Sequence, residues 1–178
     1  MTWLILVAVF LLLTPPAVVT MRRDYRRHGR LSWPGFALLT VWFFVPHLAL
    51  DFAVRYGDAW GLRQLVGLGV MVLGAAILLT SVVSFRSVKK VFARAPGTLT
   101  DSGPYRWSRN PQYVGWFLFL LGFAVMGWTW RCWIALGMLV VALQILVLVE
   151  EEHLRRVFGA AYRAFCERIP RWVGRGRR

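Results

Sequence analysis

The amino-acid sequence predicts an all-α integral membrane protein: five transmembrane helices, the last two a helical hairpin, followed by a C-terminal amphipathic cytoplasmic helix. Three observations carry that expectation. The 178 residues are 58% hydrophobic with a mean hydropathy of +0.54, too apolar for a soluble core alone. The apolar residues fall in nearly uncharged runs of membrane-crossing length. The net charge of +14 is one-sided. Five basic residues lie in Arg22–Arg30, six in Arg86–Arg109 and eight in Arg155–Arg178, leaving only Arg55, Arg63 and Arg131 for the opposite face. That is the positive-inside bias of a multi-span protein, and it argues against a nucleic-acid-binding surface.

The chain reads as a single membrane domain, 1–178, with three N-terminal spans in 1–85 and a loop, hairpin and C-terminal helix in 86–172. Trp3 to Thr20 is an uncharged run with basic residues after it and none before. This is the reverse of a secretory signal, so a retained anchor with its N-terminus outside is expected. Pro15-Pro16 should kink or unwind its cytoplasmic end, and Arg22–Arg30 reads as a cytoplasmic loop facing anionic headgroups. The second span, from about Trp33 to Val54, carries Pro46, His47 and Asp51. His47 and Asp51 are four apart on one helical face, in the outer third of the span, where an interfacial pair with Asp51 reaching Arg55 competes with a functional role. In the third span, about Trp60 to Phe85, Gly67, Gly69 and Gly74 allow close helix approach. Thr80, Ser81 and Ser84 near its inner end either bond backbone carbonyls or line a pocket.

A cytoplasmic loop from Arg86 to Ser108 ends in the polar stretch Asp101-Ser-Gly-Pro-Tyr-Arg-Trp-Ser-Arg-Asn-Pro-Gln-Tyr-Val-Gly115. Asp101 to Gly103 is turn chemistry, and Pro104 fixes the next backbone angle. Asn110 followed by Pro111 reads as helix cap and first helical residue, so the helix turns its positive end toward Tyr105 and Arg109. Gln112 to Trp130 and Cys132 to Val149 are spans joined by almost nothing, which forces an antiparallel hairpin. Both its ends then return to the cytoplasmic face, bringing Arg109-Asn110 close to Glu150-Glu151. Gln144, seven residues before Glu151, shares its stripe. Glu150 to Ile169 is expected as an amphipathic helix along the inner surface or over the bundle, with Arg171–Arg178 a loose tail. Cys132 and Cys166 fall at opposite faces, against a disulfide. Most of the ten Trp mark span ends; Trp42 and Trp116 are the exceptions, and Trp116 shares a face with Tyr113.

Three scattered His and two distant Cys make no metal set, and no Ser-His-Asp arrangement or phosphate-cradling loop is present. What remains is a polar pocket at the cytoplasmic interface, with Arg109, tyrosines and a helix N-terminus on one wall and carboxylates on the other. A zwitterionic cofactor with an adenosine head would match it; simple pairing of opposite charges at neighbouring helix ends is the alternative.

Gly103-Pro-Tyr-Arg-Trp-Ser-Arg-Asn-Pro-Gln-Tyr-Val-Gly115, then Glu150-Glu-Glu-His-Leu154, Phe158-Gly-Ala-Ala-Tyr162 and Ile169-Pro-Arg-Trp172, resemble the isoprenylcysteine carboxyl methyltransferase and phospholipid methyltransferase family. The resemblance covers about Gly97 to Trp172. It implies an integral membrane enzyme using S-adenosylmethionine held at the cytosolic side, with a lipophilic small-molecule or lipidated acceptor drawn from the bilayer. It further implies that Gly103, Pro104, Tyr105, Arg109, Asn110, Pro111, Tyr113, Gly115, Gln144, Glu150 and Glu151 shape the cofactor pocket, with Arg109, Tyr113, Glu150 and Glu151 as catalytic positioning groups. The family's frequent histidine before the proline is Asn110 here, a variant of bacterial relatives. It implies a bacterial inner membrane and leaves no titrating base at that position. An already nucleophilic acceptor, a carboxylate or thiolate, is therefore expected. N-methylation of a phospholipid amine and an NADPH-dependent, sterol-reductase-like activity are the alternatives.

Overall fold

In the computed structural model, which describes residues 2–53, 61–84 and 103–174, the chain is all helical and no strand occurs among the described residues. Helix α1 spans Thr2–His28, α2 Trp33–Ala53, α3 Leu62–Ser84, α4 Pro111–Gly127 and α5 Trp130–Arg168, with a 3-10 turn at Gly103–Arg106 ahead of α4. Four of the helices are long and apolar enough to cross a membrane. The fifth, α4, has 17 residues, about 26 Å at ~1.5 Å per residue. The protein is thus an all-α integral membrane protein. Arg55, Trp60, most of the loop from Arg86 (with the Asp101-Ser102 turn), Arg175–Arg178 and the Asp51 side chain lie outside the described residues.

Helix α1 departs from expectation. It runs through Pro15 and Pro16 to His28, so most of the expected Arg22–Arg30 loop is its last two turns. Each proline deletes only its own N–H from the ladder, and in an apolar medium the remaining backbone groups have no better partner than the helix. The turn into α2 forms at Asp24, a buried carboxylate that accepts from the Ser32 amide at 2.8 Å and its hydroxyl at 2.5 Å. Ser32 in turn accepts from Gly35 N–H at 3.1 Å, capping α2. Trp42, fully buried, ties the two helices: its indole N–H donates to Thr14 Oγ1 at 2.9 Å and its ring stacks on Phe10.

Helices α3 and α4 meet backbone to backbone. A Cβ on Gly74 would lie 2.3 Å from the Phe119 amide nitrogen, on Gly115 2.7 Å from Leu78 N, and on Gly122 2.4 Å from Gly67 O. Only glycine permits that approach. Gly67 and Gly74 therefore do what their spacing suggested, whereas Gly69 faces open space. Thr80, Ser81 and Ser84 bond the carbonyls of Ala76, Ile77 and Thr80 at 2.6–2.8 Å rather than line a pocket.

The hairpin forms as expected. Trp128 adopts the left-handed conformation at the end of α4, and Thr129 caps α5 through its hydroxyl on Cys132 N–H. Beyond it, the separate amphipathic helix expected from Glu150 is the continuation of α5. The helix passes through Glu150 without a break and kinks only at Gly159, whose φ of 52° and ψ of −119° are not helical. After the kink, Tyr162, Phe165 and Ile169 fold back onto Leu154 and Phe158 of the same helix. Cys132 and Cys166 end up near opposite ends of α5, both as free thiols.

Candidate active site

The hairpin brings the start of α4 to the middle of α5, and the expected juxtaposition is present. The Tyr113 hydroxyl donates to Glu150 Oε1 at 2.8 Å, and Arg109 Nη2 lies 3.4 Å from Glu151 Oε1. The two carboxylates nevertheless have different surroundings.

Glu151 is 2% exposed and saturated with arginine. Arg171 grips it with two parallel bonds, Nε to Oε1 at 2.9 Å and Nη2 to Oε2 at 2.8 Å. Arg155, four residues on, adds a contact at 3.2 Å, and Arg109 the third. The bond to Glu151 raises the Arg171 pKa above its ordinary value. Arg109 also reaches the Cys166 thiol. The chain after α5 is sewn to the loop before α4: Arg109 N–H donates to Pro170 O at 2.9 Å and Gly174 N–H to Trp107 O at 3.2 Å. The expectation of a loose tail from Arg171 is corrected through Gly174. Its cause is the buried Glu151, which an unpaired state would make costly.

Glu150 has no arginine or lysine partner among the described residues. Around it are tyrosines: Tyr113 in direct contact, with Tyr105 from the 3-10 turn and Tyr25 from α1 close enough to feel its charge. Burial first, and the Glu150 carboxylate second, push the Tyr105 hydroxyl above its usual range, so it stays protonated. Tyr25 stacks on His153 with centroids 4.4 Å apart. Tyr25, Arg171 and Cys166 are site residues that the sequence reading missed. Tyr25 was hidden by the supposed loop, which is helix. Arg171 stood within the quoted Ile169-Pro-Arg-Trp172 motif, and that motif was its signal.

The remaining candidates occupy supporting positions. Gly103, at φ 56°, lies against Ser84 Oγ, where a Cβ would approach to 2.8 Å. Pro104 O accepts from the Trp107 and Ser108 amides, closing the turn that buries Tyr105. Pro111 is the first residue of α4, as expected. Asn110 sits at the cap position but makes no side-chain cap bond. Its amide instead donates to Arg171 O at 3.1 Å, because the returning chain offers a carbonyl beside it. Gly115 belongs to the α3–α4 crossing, and Gln144 is half-buried two helical turns before Glu151. No group of three His, Cys, Asp or Glu that could hold a metal occurs among the described residues.

S-adenosylmethionine carries a cationic sulfur, an ammonium and a carboxylate, so it needs at least one anionic and one cationic contact. The residues fit. Among the described residues Glu150 is a carboxylate without a counter-cation, and Arg109 keeps a buried Nε–H without a partner.

Comparisons with known proteins agree with the geometry. The model of the phospholipid methyltransferase family matches residues 62–161. The mouse protein-S-isoprenylcysteine O-methyltransferase is 32% identical over 148 residues, 83% of this chain and 50% of that protein. The human protein of the same name is 32% identical over 112 residues, 60% of this chain and 39% of that protein. The chain therefore spans about half the length of these relatives or less. No solved structure matches it significantly. The family match runs from α3 through the hairpin to the far side of the Gly159 kink, more than half of the chain and all of the Tyr113–Glu150 contact, and the chain belongs to the phospholipid methyltransferase family.

Proposed function

We propose that the chain is a membrane methyltransferase that uses S-adenosylmethionine to methylate the carboxylate of a lipophilic acceptor, of the prenylated-cysteine class, at the cytoplasmic edge of the bilayer. The observation that carries this reading is Glu150: a half-buried carboxylate bonded to Tyr113, flanked by Tyr25 and Tyr105, with no basic partner among the described residues. When bound, the cofactor would supply a methyl group on a cationic sulfur, open to displacement by a nucleophile. Glu150 balances positive charge there, and Tyr113 holds its carboxylate in one orientation. Arg109, fixed by Glu151 and Cys166, presents its Nε–H to an anionic group. The Asn110-Pro111 helix start adds positive potential to the same wall. A carboxylate acceptor leaves no proton to remove, which suits a site whose Asn110 cannot serve as a base. Catalysis then rests on alignment of the reacting atoms. The relatives' names, which specify O-methylation of isoprenylcysteine, support the same acceptor class.

The family description favours a second reading, N-methylation of a phospholipid amine. Two measurements test the assignment. Calorimetry on the purified protein should show S-adenosylhomocysteine binding and no NADPH binding; the reverse result moves the protein to a reductase. Membranes supplied with methyl-labelled S-adenosylmethionine should then yield label that mild base releases as methanol. Base-stable label running with phospholipid overturns the ester reading in favour of the amine. The charge asymmetry further supports an N-terminus outside and a C-terminus in the cytoplasm, and Asn110, the variant of bacterial relatives, supports a bacterial inner membrane. A reporter fused at the C-terminus should be active only in its cytoplasmic form.

A further inference from the structure

Helix α2 meets α4 through side-chain rings rather than through backbone. Phe43 and His47 of α2 contact Trp116 of α4 edge-on, with centroids 6.0 Å and 5.3 Å away, and Trp116 continues the series to Phe119 at 6.1 Å. Phe44 flanks His47 at 5.1 Å. Trp116 lies three residues beyond Tyr113, less than one turn along α4, so this aromatic seam begins where the Tyr113–Glu150 contact ends. His47 thus packs among rings, while its expected pairing with Asp51 and Arg55 lies outside the described residues.

His47 Nδ1 lies 3.0 Å from Phe43 O. A carbonyl only accepts, so Nδ1 carries the proton, and in the neutral ring Nε2 presents a lone pair. Nε2 is buried without a hydrogen-bond partner among the described residues. On the same stripe of α4 as Trp116, one turn toward the cytoplasm, Gln112 Oε1 is also buried without a partner. Both orphans are acceptors, and a buried acceptor left empty is costly. Among the described residues neither acceptor meets a donor.

Resting on the methyl-transfer reading above, we propose that the α2–α4 seam holds the head of the methyl acceptor and that His47 Nε2 accepts its amide N–H. An S-prenylated cysteine suits the site on each count. Its carboxylate would lie at the Tyr113 end of the seam, toward the cofactor wall, its amide supplies the missing donor, and its unsaturated chain lies against aromatic rings. A phosphatidylethanolamine head would bring a phosphate into a seam built of rings, where the described residues offer it no cation. His47 is on this account a specificity-determining residue.

The test compares two amphiphiles on the full chain in detergent micelles, by calorimetry. N-acetyl-S-farnesylcysteine carries the amide; S-farnesylthiopropionic acid is the same chain and carboxylate without it. Wild-type protein should bind the first about tenfold more tightly, the usual worth of one buried hydrogen bond. His47→Leu should erase that preference, and His47→Gln, whose side-chain oxygen accepts, should keep most of it. S-adenosylhomocysteine affinity should stay within about twofold in both variants, since His47 lies off the cofactor wall. Equal binding of the two amphiphiles by the wild type overturns the inference even if the Leu variant fails to fold, as does an equal loss of preference in Leu and Gln. Methylation of phosphatidylethanolamine without binding of either farnesyl probe overturns it too. An amide preference that depends on His47, with no methyl transfer, supports the seam and overturns the proposed reaction instead.

Discussion

Glu150 and Glu151 are chain neighbours that inhabit two different regions of the molecule. Among the described residues, one faces the tyrosines of α1, the 3-10 turn and α4, without a cation; the other faces the returning C-terminal segment, with three. Successive residues of a helix point roughly 100° apart, so one step along α5 is enough to separate them. The difference assigns different work to the two acids. A carboxylate already held by a two-pronged arginine has little charge left for a ligand and serves to lock Arg109 and the tail in place. A carboxylate held only by a phenol can still meet a cation. On the proposed reading, the acidic pair that looks like one motif in the sequence is one anchor and one binding group.

Substitutions that keep volume and remove charge should separate the two. The largest effect is expected for Glu151→Gln, which leaves Arg109, with only 10% of its side chain exposed, beside no carboxylate. Breaking a buried pair costs about 3–5 kcal/mol, and the low end, about 3 kcal/mol, applies because Arg155 and Arg171 still reach water. Thermal denaturation in detergent should show that loss; an unchanged melting temperature together with lost cofactor affinity would reverse the comparison.

Glu150→Gln should instead spare stability and cost about 2 kcal/mol of S-adenosylmethionine binding, roughly thirtyfold in Kd by calorimetry. If the two variants lose binding equally, the division of roles is wrong. Tyr113→Phe removes the bond that orients Glu150 and should cost about 1 kcal/mol of the same affinity. An effect as large as that of Glu150→Gln would promote Tyr113 from positioning group to direct ligand. The third acid of the run sets the lower bound. Glu152 bonds Arg22 and Arg26 at the surface, where such pairs are worth about 0.2–1 kcal/mol. Glu152→Gln should leave cofactor affinity unchanged and shift the melting temperature slightly, the more so at low salt.

What the sequence determined by itself is the set of helices and the meeting of their ends. A backbone in an apolar medium must satisfy its hydrogen bonds locally, so each uncharged run of sufficient length declares a span, and two spans with almost no linker around Thr129–Arg131 declare a hairpin. From those two facts the approach of Arg109 and Tyr113 to Glu150 and Glu151 follows. The close packing at Gly67 and Gly74 was legible for a similar reason, since a missing side chain is visible in the sequence. The tertiary structure alone decided the rest. That α1 continues through two prolines, carrying Tyr25 to the site, depends on there being no competing partner for its backbone. That Arg171 returns to Glu151 depends on the kink at Gly159, and that His47 lies beside Trp116 depends on how α2 and α4 cross. Each turns on the rotation and tilt of one helix against another, and those angles are set by side chains distant in sequence that must all be packed at once.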